Sequence, residues 1–316
     1  ARTGQAVVLW CRREEQARAL CAERTNAVYL PGVPFPDGVS ATADLAEALR
    51  RCDDVLLAVP AQSLRALAEQ IAPHLRPAHR FLSLAKGLEI ATGLRMSQVL
   101  AAVLPVAPER IAALSGPNHA EEVGRGLPTA GVVASAYPPA AEHFQALLMN
   151  PSFRLYTNPD LAGVELAGAL KNVIALATGI ADGLGFGDNS RAALITRGLA
   201  EIGRLGQRLG AQPLTFAGLA GMGDLIATCT SRHSRNARAG RLVGEGASIA
   251  EVTKATPMAI EGVPTTRAAI ALARRAGVEM PICQAVYDVL FQGVEPRSRV
   301  DALMRREART ELDALS

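Results

Sequence analysis

The order of apolar and polar positions in the first half of the chain predicts strands that alternate with helices. Short apolar runs typical of buried strands cover residues 6–10, 54–59, 81–85, 111–114 and 129–134. Between them, the helical spacing of apolar residues covers residues 14–23, 44–50, 62–75 and 93–104. Continuous apolar strands separated by helices of about ten residues are typical of a parallel sheet that is covered on both faces. The first half is therefore predicted to be an open α/β domain with a parallel sheet.

The carboxyl ends of the predicted strands carry polar or turn-forming residues. Arg12 follows the first strand, Pro60 the second, Lys86 the third and Ser115-Gly116-Pro117 the fourth. Parallel sheets bind their ligands at this edge. We therefore expect these residues to face a ligand cleft.

Beyond residue 158 the strand patterns stop and helical patterns follow one another to the end of the chain. They cover residues 161–184, 190–209, 214–219, 235–244, 249–254, 265–276, 282–290 and 297–304. We expect two domains, an α/β domain over 1–158 and an all-helical domain over 159–316. The most apolar stretch, 161–184, contains Glu165, Lys171, Asn172 and Asp182, which makes it a poor membrane span.

Composition narrows the class of protein. A net charge of +3 over 316 residues gives no electrostatic reason to expect a nucleic-acid or membrane-surface partner, although a small anionic substrate fits. Five scattered cysteines without C-x-x-C spacing argue against a disulfide framework or a zinc site and favour a cytoplasmic protein. No group of histidines has the spacing of metal ligands, so no metal is expected.

Lysine is rare in this chain, and one lysine lies in an unusual place. Among 33 cationic residues only Lys86, Lys171 and Lys254 are lysines. Lys171 lies in a strongly apolar helical stretch, where burial would lower its pKa towards the range useful for proton transfer. Gly168 and Ala175 lie on the same helical face and would leave room for a ligand. The alternative is a lysine whose stem is buried while its ammonium reaches solvent.

A second polar cluster precedes the helix predicted at 235–244. Residues 228–236 read Thr-Cys-Thr-Ser-Arg-His-Ser-Arg-Asn, and hydroxyls, an arginine and an amide at a helix start suit an oxyanion or phosphate. A solvated helix cap explains the same pattern equally well. In the loop after the fourth strand, His119 alone is better explained as structural or solvated than as catalytic.

Together these runs resemble the bacterial NAD(P)-dependent glycerol-3-phosphate dehydrogenase family along nearly the whole chain. The matching segments, in order, are residues 29–32, 57–60, 85–87, 114–117, 168–172, 218–224 and 234–236. The resemblance implies hydride transfer between a nicotinamide and C2 of sn-glycerol 3-phosphate, which supplies that compound for phospholipid synthesis. It also implies that Lys171 is the proton acceptor and donor.

The resemblance implies that residues 1–158 form a Rossmann-type dinucleotide-binding domain and residues 159–316 a helical substrate and catalytic domain. It also implies further site residues. The implied substrate-binding residues are Lys86, Gly116, Asn118, Lys171, Asp224, Ser234, Arg235 and Asn236. The implied cofactor-binding residues are Arg12, Arg13, Tyr29, Lys86, Ala120, Arg235, Ala259 and Glu261. Arginines replace the acidic residue that usually binds the ribose 2′-hydroxyl of NAD, so NADPH is expected to be favoured.

The resemblance also implies a first strand and a G-x-G-x-x-G loop ahead of Ala1, so the sequence is expected to be truncated before or within the first helix. A non-catalytic, metabolite-binding relative that lacks its cofactor loop is the alternative function. A wider group of hydroxyacid dehydrogenases would place an asparagine four residues after the lysine, where this chain has Ala175. A homodimer is left open.

Overall fold

The computed structural model describes residues 1–256, 258–308 and 310–311. Its first half is an α/β unit, as predicted. The strands are β1 (Val7–Trp10), β2 (Thr25–Asn26), β3 (Leu30–Pro34), β4 (Val39–Thr42), β5 (Asp54–Leu57), β6 (Arg80–Ser83), β7 (Ile111–Ser115), β8 (Thr129–Ala134) and β9 (Phe153–Asn158). The helices are α1 (Glu14–Glu23), α2 (Leu45–Arg50), α3 (Leu64–Ile71), α4 (Met96–Val103), α5 (Ala120–Gly124) and α6 (Pro138–Leu148).

The main sheet has five strands in the order β5-β6-β7-β8-β9. All neighbours run parallel except β7 and β8, which pair antiparallel. The connection between these two strands holds only the five-residue helix α5, so β8 returns beside β7 without a full crossover. Two smaller sheets, parallel β1-β4 and antiparallel β2-β3, precede the main sheet in the chain.

The second half is helical, as predicted. Its helices are α7 (Leu161–Gly183), α8 (Asp188–Arg208), α9 (Pro213–Ala217), α10 (Asp224–Thr230), α11 (Arg235–Gly244), α12 (Ile249–Lys254), α13 (Gly262–Ala276), α14 (Pro281–Gln292) and α15 (Pro296–Met304). A π-helical turn, Leu219–Gly223, leads directly into α10. The predicted boundary at 158/159 falls between the end of β9 and the start of α7.

Helix α7 is the centre of the helical half. It is buried from Gly163 to Ala181, and its neighbours are α8, α10, α11 and α13. Among the described residues it is the one helix long and apolar enough to cross a membrane, but the whole of that apolar stretch is buried inside the protein. A helix that is apolar all round is expected at this central position.

The two halves share a hydrophobic core. The largest cluster of buried apolar residues, built around α7, also contains Leu88, Val132 and Ala134 from the first half. Helix α7 packs directly on β7. The carboxyl end of β7 and the middle of α7 are therefore held close together.

Candidate active site

Lys171 lies in the middle of α7 and is buried. Its Nζ donates to Thr228 Oγ1 at 2.5 Å and lies 3.0 Å from Asp224 Oδ1. Burial lowers the pKa of Lys171 to about 8; Lys86 adds to the lowering and Asp224 opposes it. Near neutral pH this side chain therefore exists both as ammonium and as amine, as an acid–base catalyst requires.

Asp224 joins the two lysines. It is the first residue of α10, its Oδ2 accepts from Lys86 Nζ at 2.8 Å, and it is buried. Burial alone would raise the pKa of Asp224, but the charges and hydrogen bonds of Lys171 and Lys86 hold it below its ordinary value. The carboxylate is therefore ionised, and the cluster of one anion and two lysines carries a net positive charge when both lysines are protonated.

Lys86 brings residues of the first half to this cluster. Besides Asp224, its Nζ donates to the Gly116 carbonyl at 2.9 Å and to Asn118 Oδ1 at 2.8 Å. Gly116 has φ of 114°, in the region that favours glycine, and its missing side chain lets the loop approach Gly131 of β8. The structure thus brings Lys86, Gly116, Asn118, Lys171 and Asp224 together.

An amide chain continues from the lysines to α11 and α13. Asn172 donates from Nδ2 to the Lys86 carbonyl at 3.1 Å and accepts at Oδ1 from Asn236 Nδ2 at 2.9 Å. Asn236 Oδ1 in turn accepts from the Gly262 amide at 2.9 Å. The hydroxyl of Ser234 caps α11 by accepting from the Ala237 amide at 3.2 Å. Ser234 and Asn236 are buried, and the described bonds fix both side chains within the protein.

Three of the predicted cofactor residues form a second group beside Lys86. Arg235 is exposed and donates to the Ala259 carbonyl at 3.1 Å. Glu261 accepts at Oε1 from the Ala61 amide of the first half at 3.0 Å, and its Oε2 lies next to Gly87. Burial raises the pKa of the Glu261 carboxyl, while Arg235 opposes the rise.

The other predicted cofactor residues lie further along the first half. Arg12 and Arg13 are exposed at the carboxyl end of β1, Tyr29 is exposed ahead of β3, and Ala120 begins α5. Among the described residues, no hydrogen bond or ion pair joins these four to the lysine cluster.

One expectation about the helix face was wrong. The space beside Gly168 is filled by the protein, because a Cβ built there would lie 2.6 Å from Ser115 Oγ and 3.8 Å from Lys86 Cγ. The glycine lets β7 and the stem of Lys86 approach α7. Room for a ligand must therefore lie elsewhere around Lys171.

Sequence reasoning missed the role of Thr228. Its hydroxyl donates to the Asp224 carbonyl at 2.6 Å, one helical turn earlier, and accepts from Lys171. The i, i+4 spacing of Asp224 and Thr228 puts both on one helix face and was the signal available. It was overlooked because α10 itself was not predicted.

Comparison with known proteins gives a consistent result. The protein-family model for the N-terminus of NAD-dependent glycerol-3-phosphate dehydrogenase matches residues 1–141. The family model for its C-terminus matches residues 160–301. The N-terminal family model matches from residue 1 and does not confirm the truncation expected ahead of Ala1. That truncation stays a prediction.

Individual relatives match over nearly the same length. An NAD(P)+ glycerol-3-phosphate dehydrogenase of Syntrophomonas wolfei is 51% identical over 98% of this chain and 90% of its own length. That of Moorella thermoacetica is 52% identical over 99% of this chain and 93% of its own. The crystal structure of a glycerol-3-phosphate dehydrogenase from Coxiella burnetii superposes with a TM-score of 0.92 and 39% identity, covering 96% of this chain and 93% of that one.

Proposed function

The chain belongs to the NAD-dependent glycerol-3-phosphate dehydrogenase family, and we propose that it interconverts sn-glycerol 3-phosphate and dihydroxyacetone phosphate with NAD(P)(H). The observation that carries this proposal is the buried cluster in which Asp224 pairs with Lys171 and Lys86 where the two halves meet. This cluster favours catalysis over a binding-only relative, because all its reactive groups are present. The product, glycerol 3-phosphate, would supply phospholipid synthesis.

Lys171 moves the proton of the reaction. When bound, the nicotinamide supplies a hydride to C2 in reduction and accepts it in oxidation. In reduction the Lys171 ammonium donates a proton to the C2 oxygen and becomes an amine; in oxidation the amine takes the proton of the C2 hydroxyl. A pKa of about 8 makes both protonation states available near neutral pH.

Lys86 and Asp224 assist this transfer. The Lys86 ammonium faces the same carboxylate as Lys171, so its charge stabilises negative charge that develops on the C2 oxygen. Asp224 fixes the position of the Lys171 amine with Thr228. Asn118 and the Gly116 carbonyl hold Lys86 and place the 116–118 loop along the substrate.

The phosphate of the substrate is held at the start of α11. Because the side chains of Ser234 and Asn236 already have partners, they shape the helix start. The main-chain N–H groups of Arg235 and Asn236 have no acceptor among the described residues, and they bind the phosphate together with the Arg235 guanidinium. Arg235 is exposed next to the Ala259 carbonyl, so its guanidinium also reaches the cofactor side.

The dinucleotide lies along the first half in this proposal. Its nicotinamide end is flanked by Lys86, Arg235, Ala259 and Glu261. Tyr29 and Ala120 lie further along the dinucleotide, away from the nicotinamide. Arg12 and Arg13 are exposed at the end of β1, and within the described part of the chain neither is paired with a carboxylate. Two free guanidinium groups at this position fit a 2′-phosphate, which supports a preference for NADPH.

The test is an assay of dihydroxyacetone phosphate reduction with NADPH and with NADH. We expect substrate-dependent oxidation of both cofactors and a higher kcat/KM with NADPH. In the Arg12→Ser/Arg13→Ser double variant the NADPH-to-NADH ratio of kcat/KM should fall about tenfold or more, as for loss of hydrogen bonds to a charged group. Arg238→Ser, an exposed change on α11, is the control.

Two results would contradict the proposal. The absence of any substrate-dependent oxidation would favour the binding-only relative. An unchanged cofactor ratio in the double variant would remove Arg12 and Arg13 from 2′-phosphate recognition while leaving the reaction itself intact.

We also propose a domain boundary, a cellular location and an oligomeric state. We place the dinucleotide-binding domain at 1–158 and the helical domain at 159–316, of which residues 257, 309 and 312–316 lie outside the described structure. The five free cysteines and the small net charge support a cytoplasmic location. A homodimer is compatible with the exposed apolar side chains of Leu214, Met222 and Ile226.

A further inference from the structure

His119 belongs to the loop that holds Lys86. It directly follows Asn118, and its carbonyl accepts from the Glu122 and Val123 amides, so it caps the backbone of α5. Three residues before His119, the Gly116 carbonyl accepts from Lys86. The position of the His119 backbone is therefore fixed relative to the catalytic cluster.

The His119 side chain lines a cleft between the two halves. The cleft has a volume of about 380 Å³. One wall is Pro117, His119 and Glu122, and the other is the end of α10 and the loop after it, Ala227 and 230–233. The pKa of His119 responds to the charges of Lys171, Asp224 and Lys86, so the His119 wall of the cleft lies near the catalytic cluster.

One atom of this ring has no partner. His119 Nε2 is buried and makes no hydrogen bond to any described residue. The nearest ring is that of His233, with centroids 6.4 Å apart. A buried polar atom without a partner is costly and is rare in folded proteins. A ligand that enters the adjoining cleft and shifts the ring enough to reach Nε2 would supply the partner.

The charges around His119 decide what that ligand group is. Burial lowers the pKa of His119, and Lys171 and Lys86 lower it further, whereas Asp224 and the backbone of Ala227 oppose the lowering. Glu122, Arg232 and His233 also line the cleft. Near neutral pH the ring is therefore neutral, with one donor and one acceptor nitrogen.

A hydroxyl group suits a neutral imidazole better than a phosphate does. A hydroxyl both donates and accepts, so it pairs with Nε2 in either tautomer, whereas a phosphate dianion only accepts. Of the polar groups of dihydroxyacetone phosphate, the C2 oxygen faces Lys171 and the phosphate faces α11, which leaves the C1 hydroxyl.

We propose that Nε2 of His119 hydrogen-bonds the C1 hydroxyl of the triose phosphate and so makes the enzyme specific for a hydroxymethyl ketone. The proposal rests on the proposed function. His119 is then a substrate-binding residue. A site that pairs with a substrate hydroxyl discriminates against an analogue that lacks it, because the group in the site is left unpaired.

The experiment compares two substrates in two enzymes. Hydroxyacetone phosphate carries a methyl group in place of the hydroxymethyl group of dihydroxyacetone phosphate. In His119→Phe, which keeps a ring but removes its nitrogens, kcat/KM for dihydroxyacetone phosphate should fall roughly tenfold or more, mainly through KM. For hydroxyacetone phosphate the variant and the parent should agree within about twofold, since the contact is absent in both. His119→Gln should recover part of the loss.

His74→Phe, at an exposed histidine far from the cleft, is the control for the same change of side chain. If His119→Phe does not fold, His119→Ala replaces it, and the ratio of kcat/KM for dihydroxyacetone phosphate to that for hydroxyacetone phosphate should fall in the same way. The proposal is overturned if kcat/KM for dihydroxyacetone phosphate is unchanged, or if both substrates lose the same factor. A parent enzyme inactive on dihydroxyacetone phosphate would instead refute the proposed function.

Discussion

At the scale of single residues, the pKa of Lys171 links its burial to the direction of the reaction. Below about pH 8 the side chain is an ammonium, which reduction needs, and above it an amine, which oxidation needs. We expect kcat for dihydroxyacetone phosphate reduction to fall as pH rises through about 8, and kcat for glycerol 3-phosphate oxidation to rise. Measuring both directions across this range checks the sign.

Substitutions separate Lys171 from other sources of pH dependence. Lys171→Met should lower kcat by roughly 10²- to 10⁴-fold, the usual contribution of a general acid–base group. Lys254→Met, at an exposed lysine that ends α12, should leave kcat unchanged. If Lys171→Met keeps near-normal turnover, or if its kcat still changes with pH around 8, another group moves the proton.

The sequence identified this residue through the rarity of lysine and the apolar stretch around it. It could not supply the partners of Lys171, because Asp224 and Thr228 lie more than fifty positions away and meet it only through the packing of α7 on α10. The surface alternative, a lysine reaching solvent, failed because α7 is covered on every side.

At the scale of elements, glycines fix how α7 and α11 cross. A methyl group built on Gly179 or Gly183 of α7 would overlap the Ala237 or Arg241 carbonyl of α11, and Gly240 and Gly244 of α11 meet α7 in the same way. Small residues four apart on both helices let the backbones touch. The α11 start, where Ser234 and Asn236 lie, is positioned by this contact.

Gly179→Ala should therefore push the helices apart. We expect destabilisation of about 1–3 kcal/mol or more, as for overpacking, with a reduced kcat/KM because the start of α11 moves. Gly203→Ala on α8 is the matched control, since its nearest neighbour would be a Phe216 ring atom at 3.9 Å. This control should be neutral or stabilising by up to about 1 kcal/mol. Denaturant unfolding and kinetics on both variants check the difference.

Some helices and strands could be predicted from the spacing of apolar residues, and others could not. Periodic helices were predicted to within about three residues, and α1, α11 and α12 to the residue, whereas α5, α6, α10 and the strands β2, β3, β4 and β9 were not predicted. Two of these begin where glycine or proline interrupts the apolar pattern: α6 at Pro138-Pro139, and α10 after the turn Leu219–Gly223. Tertiary packing forms these elements, and local spacing does not reveal it.

At the scale of the molecule, a buried ion pair joins the two halves at a distance from the catalytic cluster. Glu165 of α7 accepts from the Ser97 amide at 2.7 Å, from Ser97 Oγ at 2.6 Å and from Arg95, at the start of α4. Helix α4 contributes Met96, Val99 and Leu100 to a second core cluster, and Trp10 packs against it. A continuous set of contacts therefore runs from the helical core to β1.

Glu165→Gln tests whether the two halves unfold as one unit. Removing one partner of a largely buried ion pair should cost about 3 kcal/mol, the lower end of the usual range. Trp10 is the one tryptophan, so its fluorescence reports the first half, while far-UV circular dichroism is dominated by the helices. Because α4 links Glu165 to the cluster under Trp10, both transitions should shift together to a lower denaturant concentration and stay coincident.

Glu142→Gln, at an exposed glutamate of α6, is the control and should shift neither transition. If the circular dichroism transition moved while the Trp10 transition stayed in place, the halves would unfold separately, and the catalytic cluster would depend on docking rather than on a shared core.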